Sequence, residues 1–147
     1  MKVYVHNIVK KSSALGMGDR FIIYFQGCDR RCKNCFAEET QPKNKNGFYI
    51  EIDEIINQIN NEKNIQGVTI SGGEPFLQYV ELECLVNEIK NSTKELDIMV
   101  YSGNSLKELK EDNRDEIKNI LNKIDILIDG AYIEEENSGT ALKGSDN

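Results

Sequence analysis

No apolar run in this 147-residue chain approaches the ~20 residues a membrane span requires, and stretches such as DILIDG give out after a few positions. The opening MKVYVHNIVKKSS alternates like a strand and lacks the unbroken apolar core of a secretory signal, so a cytoplasmic protein without a membrane partner is expected. No long run of Lys and Arg is interleaved with aromatics, and with a formal net charge of −7 this argues against a nucleic-acid surface. There is one histidine, so no histidine cluster or triad is available for acid–base work. No repeat of fixed period and no low-complexity tract is present. What remains is an ordinary globular balance, 39% hydrophobic and 29% charged. The length suits one domain, 1–147, and falls short of the roughly 250 residues of a closed eight-fold α/β barrel. Residues 1–35 carry an excess of five positive charges, which reads either as a solvated face or as a basic cap around the cysteine loop, suited to an acidic partner or anionic cofactor.

The apolar pattern alternates between two periods. Phe21 to Phe25, FIIYF, reads as a buried strand. Ile52, Ile55, Ile56 and Ile59 follow with helical spacing, then GVTIS as a second strand, then Leu82, Leu85, Val86 and Ile89 with the same spacing. DIMVYSG makes a third strand, Ile117, Ile120, Leu121 and Ile124 a third helical stripe, and DILIDG a fourth strand. A β-α-β-α-β-α-β order requires parallel strands, so an open parallel sheet or incomplete parallel (β/α) barrel is expected. Ligands of such folds sit beyond the carboxyl ends of the strands. Four loops of unusual composition fall there: the one holding the cysteines, Ser71-Gly72-Gly73-Glu74, Tyr101-Ser102-Gly103 and Asp129-Gly130.

FQGCDRRCKNCF places Cys28, Cys32 and Cys35 in one polar loop with C-x3-C-x2-C spacing. Cytosolic thiols stay reduced, so this cluster points to metal or redox chemistry. A structural zinc site wants four protein ligands. The remaining candidates, Cys84 off the apolar stripe of its helix and His6 in the first strand, read as bystanders. A cubane iron–sulfur cluster normally takes four thiolates. Three leave one iron open to a substrate or cofactor. In SGGEP, Gly72 and Gly73 let the backbone approach a ligand closely and Pro75 suits a first helical turn, although the same residues also serve an ordinary strand-to-helix turn.

C-x3-C-x2-C after a first buried strand, with a later strand ending in G-G-E, resembles the radical S-adenosylmethionine (SAM) superfamily. Within it the chain is similar to the small activating proteins of glycyl radical enzymes, over nearly its whole length. The likeness includes Gly16-Met17-Gly18-Asp19-Arg20, similar to a G-P-G-x-R turn, SGGEPF, VYSG, DILIDGAY, and LKGSDN, similar to an R-G-S-x-N motif that normally continues further, so that the end at Asn147 is read as either truncated or dispensable. The resemblance implies a [4Fe-4S] cluster on Cys28, Cys32 and Cys35, with SAM chelating the open iron and being cleaved by one electron. It also implies that Gly72, Gly73 and Glu74 receive the methionine ammonium and that backbone around Asn34 and Phe36 contacts the adenine. Ser102 then bonds the ribose or the methionine carboxylate, or simply stabilises its turn; Asp129 orients the site or caps the strand end. The implied partners are a glycyl radical enzyme such as anaerobic ribonucleotide reductase as protein substrate, and a flavodoxin or ferredoxin as electron donor. Radical chemistry on a small metabolite or peptide, as in deazapurine synthesis or peptide maturation, is the alternative within enzymes. A pure electron-transfer or metal-storage module would need a fourth ligand, and the sequence offers no good one.

Overall fold

The computed structural model describes residues 1–27, 47–92 and 95–129. The chain runs β1 (Lys2–Ser12), β2 (Arg20–Phe25), β3 (Phe48–Glu51), α1 (Ile52–Asn61), β4 (Gly67–Gly72), a 3-10 turn (Pro75–Gln78), α2 (Tyr79–Lys90), β5 (Asp97–Tyr101), α3 (Leu106–Glu111), α4 (Asp115–Lys123) and β6 (Ile126–Ile128). One six-stranded sheet has the order β3-β1-β2-β4-β5-β6. Strands β2, β4, β5 and β6 are parallel, as expected from the alternating periods. The sheet as a whole is mixed, because β1 pairs antiparallel with both β2 and β3. Strand β3 was not expected, since FYIE is too short to show a period. The last turn before α4 also carries an unforeseen helix, α3, started by a capping box in which Ser105 and Glu108 bond each other's backbone.

Side-chain alternation divides the sheet into two faces. Phe21, Ile23 and Phe25 of β2, Val68 and Ile70 of β4, and Ile98 and Val100 of β5 join one apolar core with Ile52, Ile55 and Ile59 of α1, Leu82, Leu85, Val86 and Ile89 of α2, and Ile117 and Ile120 of α4. The helical stripes read from the sequence are therefore the faces that are buried. A fully buried Ile or Leu contributes about 1.5–3 kcal/mol, so this layer is what holds the strands in register.

The opposite face is more polar and is organised by Arg20, which is fully buried. Its Nε donates to Thr69 Oγ1 at 2.6 Å and its Nη2 to the Val68 carbonyl at 3.1 Å, while Nη2 also pairs with the Asp97 carboxylate. Thr69 in turn donates to the Leu15 carbonyl at 2.8 Å, which seats the turn 13–19 against the amino ends of the strands. The Gly16–Arg20 motif thus anchors the end of the sheet opposite the cysteine loop. Two members of the basic segment go with it: β1 runs away from that loop and leaves Lys10 and Lys11 exposed near the Ser12–Arg20 pairing. Lys10, Lys11 and the buried Arg20 thus lie at the end of the sheet away from Gly27, where the loop departs, and Arg30, Arg31 and Lys33 lie outside the described residues.

Replacing Asp97 with Ala leaves a buried guanidinium without its counter-charge. Because the Asp97 side chain is 38% exposed, the expected cost is about 2–3 kcal/mol, below the ~3–5 kcal/mol of a fully buried pair. For a chain of this length that lowers Tm by about 5–10 °C; thermal unfolding followed by circular dichroism checks it, and an unchanged Tm contradicts the reading of Arg20.

Candidate functional site

The carboxyl ends of the parallel strands bring three of the four predicted loops together within the described residues. Strand β4 ends at Gly72, paired in register with Phe25, the last residue of β2. Gly72 has φ +102°, and a Cβ built on it would overlap the Phe25 carbonyl oxygen. Only glycine meets both demands. The chain then continues to dock on β2 and the start of the cysteine loop: Gly73 N donates to the Phe25 carbonyl at 2.9 Å and Glu74 N to the Gly27 carbonyl at 2.8 Å. Residues 28–46 lie outside the described residues, and with them Cys28, Cys32, Cys35, Asn34 and Phe36. What the structure does give is the last residue before that loop, Gly27, hydrogen-bonded to Glu74.

Glu74 is 6% exposed, and its carboxylate gathers three donors. Oε2 accepts from Phe76 N at 3.0 Å, which caps the 3-10 turn begun by Pro75. Oε1 accepts from Gly103 N at 2.7 Å. The Ser102 hydroxyl lies 2.9 Å from Oε2 and 3.1 Å from Oε1, and itself accepts from Asn104 N at 3.0 Å. Glu74 therefore ties the end of β4 to the end of β5, and Ser102 is engaged as a turn-stabilising hydroxyl. Charge-assisted bonds of this kind are short and strong, and they hold the turn that follows Gly72 and Gly73 against the end of β5. Beside them Ser71, 1% exposed, has a hydroxyl with no hydrogen-bond partner among the described residues.

The remaining candidates are placed as supports. Asp129, after β6, accepts from Leu106 N at 2.7 Å and so caps the start of α3. His6 Nδ1 sits 3.1 Å from Gln26 Oε1 on β1. Cys84 is half-buried on α2 against the core and free, and burial, with a smaller contribution from Glu88, pushes its thiol pKa up. A protonated thiol is a poor metal ligand. Cys84→Ser is expected to take up the same iron as the parent chain on reconstitution, measured colorimetrically per mole of protein; a loss of one iron or more contradicts its assignment as a bystander. Sequence reading missed Gln78. Its amide bonds strand β1, and an isolated Gln after GGEP carries no signal of that without the fold.

The glycine-rich end of β4 is thus hydrogen-bonded to Phe25 and Gly27, the stem from which the three-cysteine segment departs. The 4Fe-4S single cluster domain family matches residues 14–147. The anaerobic ribonucleoside-triphosphate reductase-activating protein of Haemophilus influenzae is 32% identical over 126 residues, which span 82% of this chain and 79% of that protein. The pyruvate formate-lyase-activating enzyme of Staphylococcus epidermidis is 36% identical over 95 residues, and that of Staphylococcus aureus (strain USA300) 34% over 97. These matches take in 61% and 63% of this chain but 38% and 39% of the staphylococcal enzymes. The chain belongs to the 4Fe-4S single cluster domain family and, with these relatives, to the glycyl radical enzyme activating proteins of the radical SAM superfamily. It is a radical SAM oxidoreductase, and its cofactors are a [4Fe-4S] cluster and SAM. Among the described residues no helix is long and apolar enough to cross a membrane.

Proposed function

We propose that this chain cleaves SAM reductively and installs a glycyl radical on a partner protein of the anaerobic ribonucleotide reductase kind. The observation that carries the reading is the junction between the two motifs: the backbone amides of Gly73 and Glu74 are bonded to Phe25 and Gly27, so the glycine-rich strand end and the stem of the cysteine loop form one surface. The residues fit the cofactors. Three thiols in one loop match a cubane with an open iron; a strand end stripped of side chains at Gly72 and Gly73 admits a ligand; and the buried Ser71 hydroxyl beside it, without a partner among the described residues, is the kind of group a bound ligand satisfies. In this reading Cys28, Cys32 and Cys35 hold the cluster. Gly72, Gly73 and Glu74 receive the methionine ammonium, Asn34 and Phe36 line the adenine, and Ser102 steadies Glu74 and faces the ribose or carboxylate. When bound, cluster and SAM would supply, with one electron from the donor, the abstraction of a hydrogen atom from a glycine Cα of the partner.

The remaining steps are binding and exclusion. Glu74 keeps the strand ends rigid, so the cleft is pre-shaped before SAM arrives. The described strand order is open, with β3 and β6 at its ends. We read 1–147 as a single cytoplasmic domain of incomplete (β/α) barrel form, whose open side admits a protein loop and which takes its electron from a flavodoxin or ferredoxin. The test is to incubate the reconstituted, reduced chain and SAM with the glycyl radical enzyme encoded nearest to it, under anaerobic conditions, and record electron paramagnetic resonance. A glycyl radical signal on the partner is expected. Modification of a small molecule with no such signal on any co-encoded protein overturns the assignment.

A further inference from the structure

At the site end of the sheet β2 stops before β1 does. Phe25 pairs with Val5, and β1 continues through Tyr4 and Val3 to Lys2 with β3 on its other side only. Tyr4 is 9% exposed, so its backbone N–H, left behind where β2 departs, requires a partner, and its C=O, which accepts from Gln26 N, has room for a second donor. A side chain provides them. Gln78 Oε1 accepts from Tyr4 N at 2.9 Å and Gln78 Nε2 donates to the Tyr4 carbonyl at 2.8 Å, so the amide acts as the peptide group of a strand residue that is not there. The same Nε2 lies 3.3 Å from the Gln26 carbonyl, and Gln26 N donates to the Tyr4 carbonyl at 3.1 Å.

This point is the neck of the cysteine loop. Gln26 and Gly27 are the last described residues before it, and Gly47 is the first after it. Gly47 lies so close that an added Cβ would sit 2.8 Å from Gln26 Cγ and 2.8 Å from the Val5 carbonyl oxygen. Gln26 is thus wedged between the outgoing and returning stems, and it is 2% exposed. Gln78 holds its carbonyl from a turn whose own start, Glu74, is bonded to Gly27. Sheet edge, loop neck and glycine-rich motif are joined through one amide.

The geometry points to Gln78 as a positioning residue that clamps the neck of the cysteine loop and thereby sets how firmly the loop retains its iron–sulfur cluster. The inference rests on the reading of that loop as the cluster site. The test uses anaerobically reconstituted full-length chain and follows iron release to a ferrous chelator, with Tm recorded alongside. Gln78→Met keeps the volume and removes all three bonds; it is expected to release iron about tenfold faster, the effect of leaving the buried Tyr4 N–H unpaired. Gln78→Glu keeps the acceptor for Tyr4 N but turns a carboxylate on the Tyr4 and Gln26 carbonyls, and is expected to release iron faster still. Asp97→Ala, at the opposite end of the sheet, lowers Tm yet leaves iron release at the parent rate. Equal release from Gln78→Glu and the parent, or release from Asp97→Ala as fast as from the Gln78 variants, overturns the clamp. Failure of the parent chain to take up a cluster overturns the underlying reading instead.

Discussion

Cys32→Ala is expected to hold no stable cluster after anaerobic reconstitution and to form 5′-deoxyadenosine only at the background of the assay. Ligand number decides the outcome. With Cys28, Cys32 and Cys35 as the proposed ligands, three thiolates would leave one iron to an external ligand, and a second uncovered iron would leave the cubane held by two. Changes in groups that merely orient metal ligands cost about 10–100-fold in affinity, so loss of a ligand itself costs more. Among the described residues the helices and β2, β4 and β5 share an apolar core of their own, so far-UV circular dichroism is expected to match the parent chain. Cys84→Ser is the matched control, a cysteine lost with no change in iron. Parent-like absorbance and iron content in Cys32→Ala would remove the three-cysteine assignment.

Gly72→Ala is expected to damage both the fold and the site. A backbone at φ +102° is strained for any residue with a Cβ, by about 1–3 kcal/mol. The added methyl also meets the backbone of β2 at Phe25, which cannot yield without breaking the β2–β4 register, and overpacking of this kind costs about 1–3 kcal/mol more. A total of about 4 kcal/mol lowers Tm by roughly 8–16 °C for a chain of this size. Where the variant still folds, the displaced strand end moves Gly73 and Glu74, so its Kd for SAM, measured by equilibrium dialysis on the reconstituted protein, is expected to rise at least about tenfold. Parent-like Tm and Kd together would show that the tight approach of Gly72 to Phe25 is not what shapes the cleft.

Much of this was legible because the chain writes its parallel core in two clear periods. The isoleucine and leucine stripes of α1, α2 and α4 are the buried faces, and the runs around Ile23, Ile70, Val100 and Leu127 are the strands. The gathering of Gly72, Glu74 and Ser102 at one edge followed from strand direction alone. What escaped were features fixed by tertiary contact. Strand β3 is four residues that owe their extended form to pairing with Lys2–Val5, not to a pattern of their own. Arg20 reads as a surface charge in any composition count, yet Thr69, Val68 and Asp97 converge to bury it. Ser102 was open between ligand and turn; the Glu74 carboxylate that engages it lies 28 positions away in sequence. Gln78 needed the staggered ends of β1 and β2 to become visible at all.

The most direct test of the central claim is anaerobic reconstitution with iron and sulfide, reduction, addition of SAM and quantification of 5′-deoxyadenosine. The nucleoside is expected in the parent chain, dependent on both reductant and SAM. An intact, reducible cluster that yields none would contradict that claim.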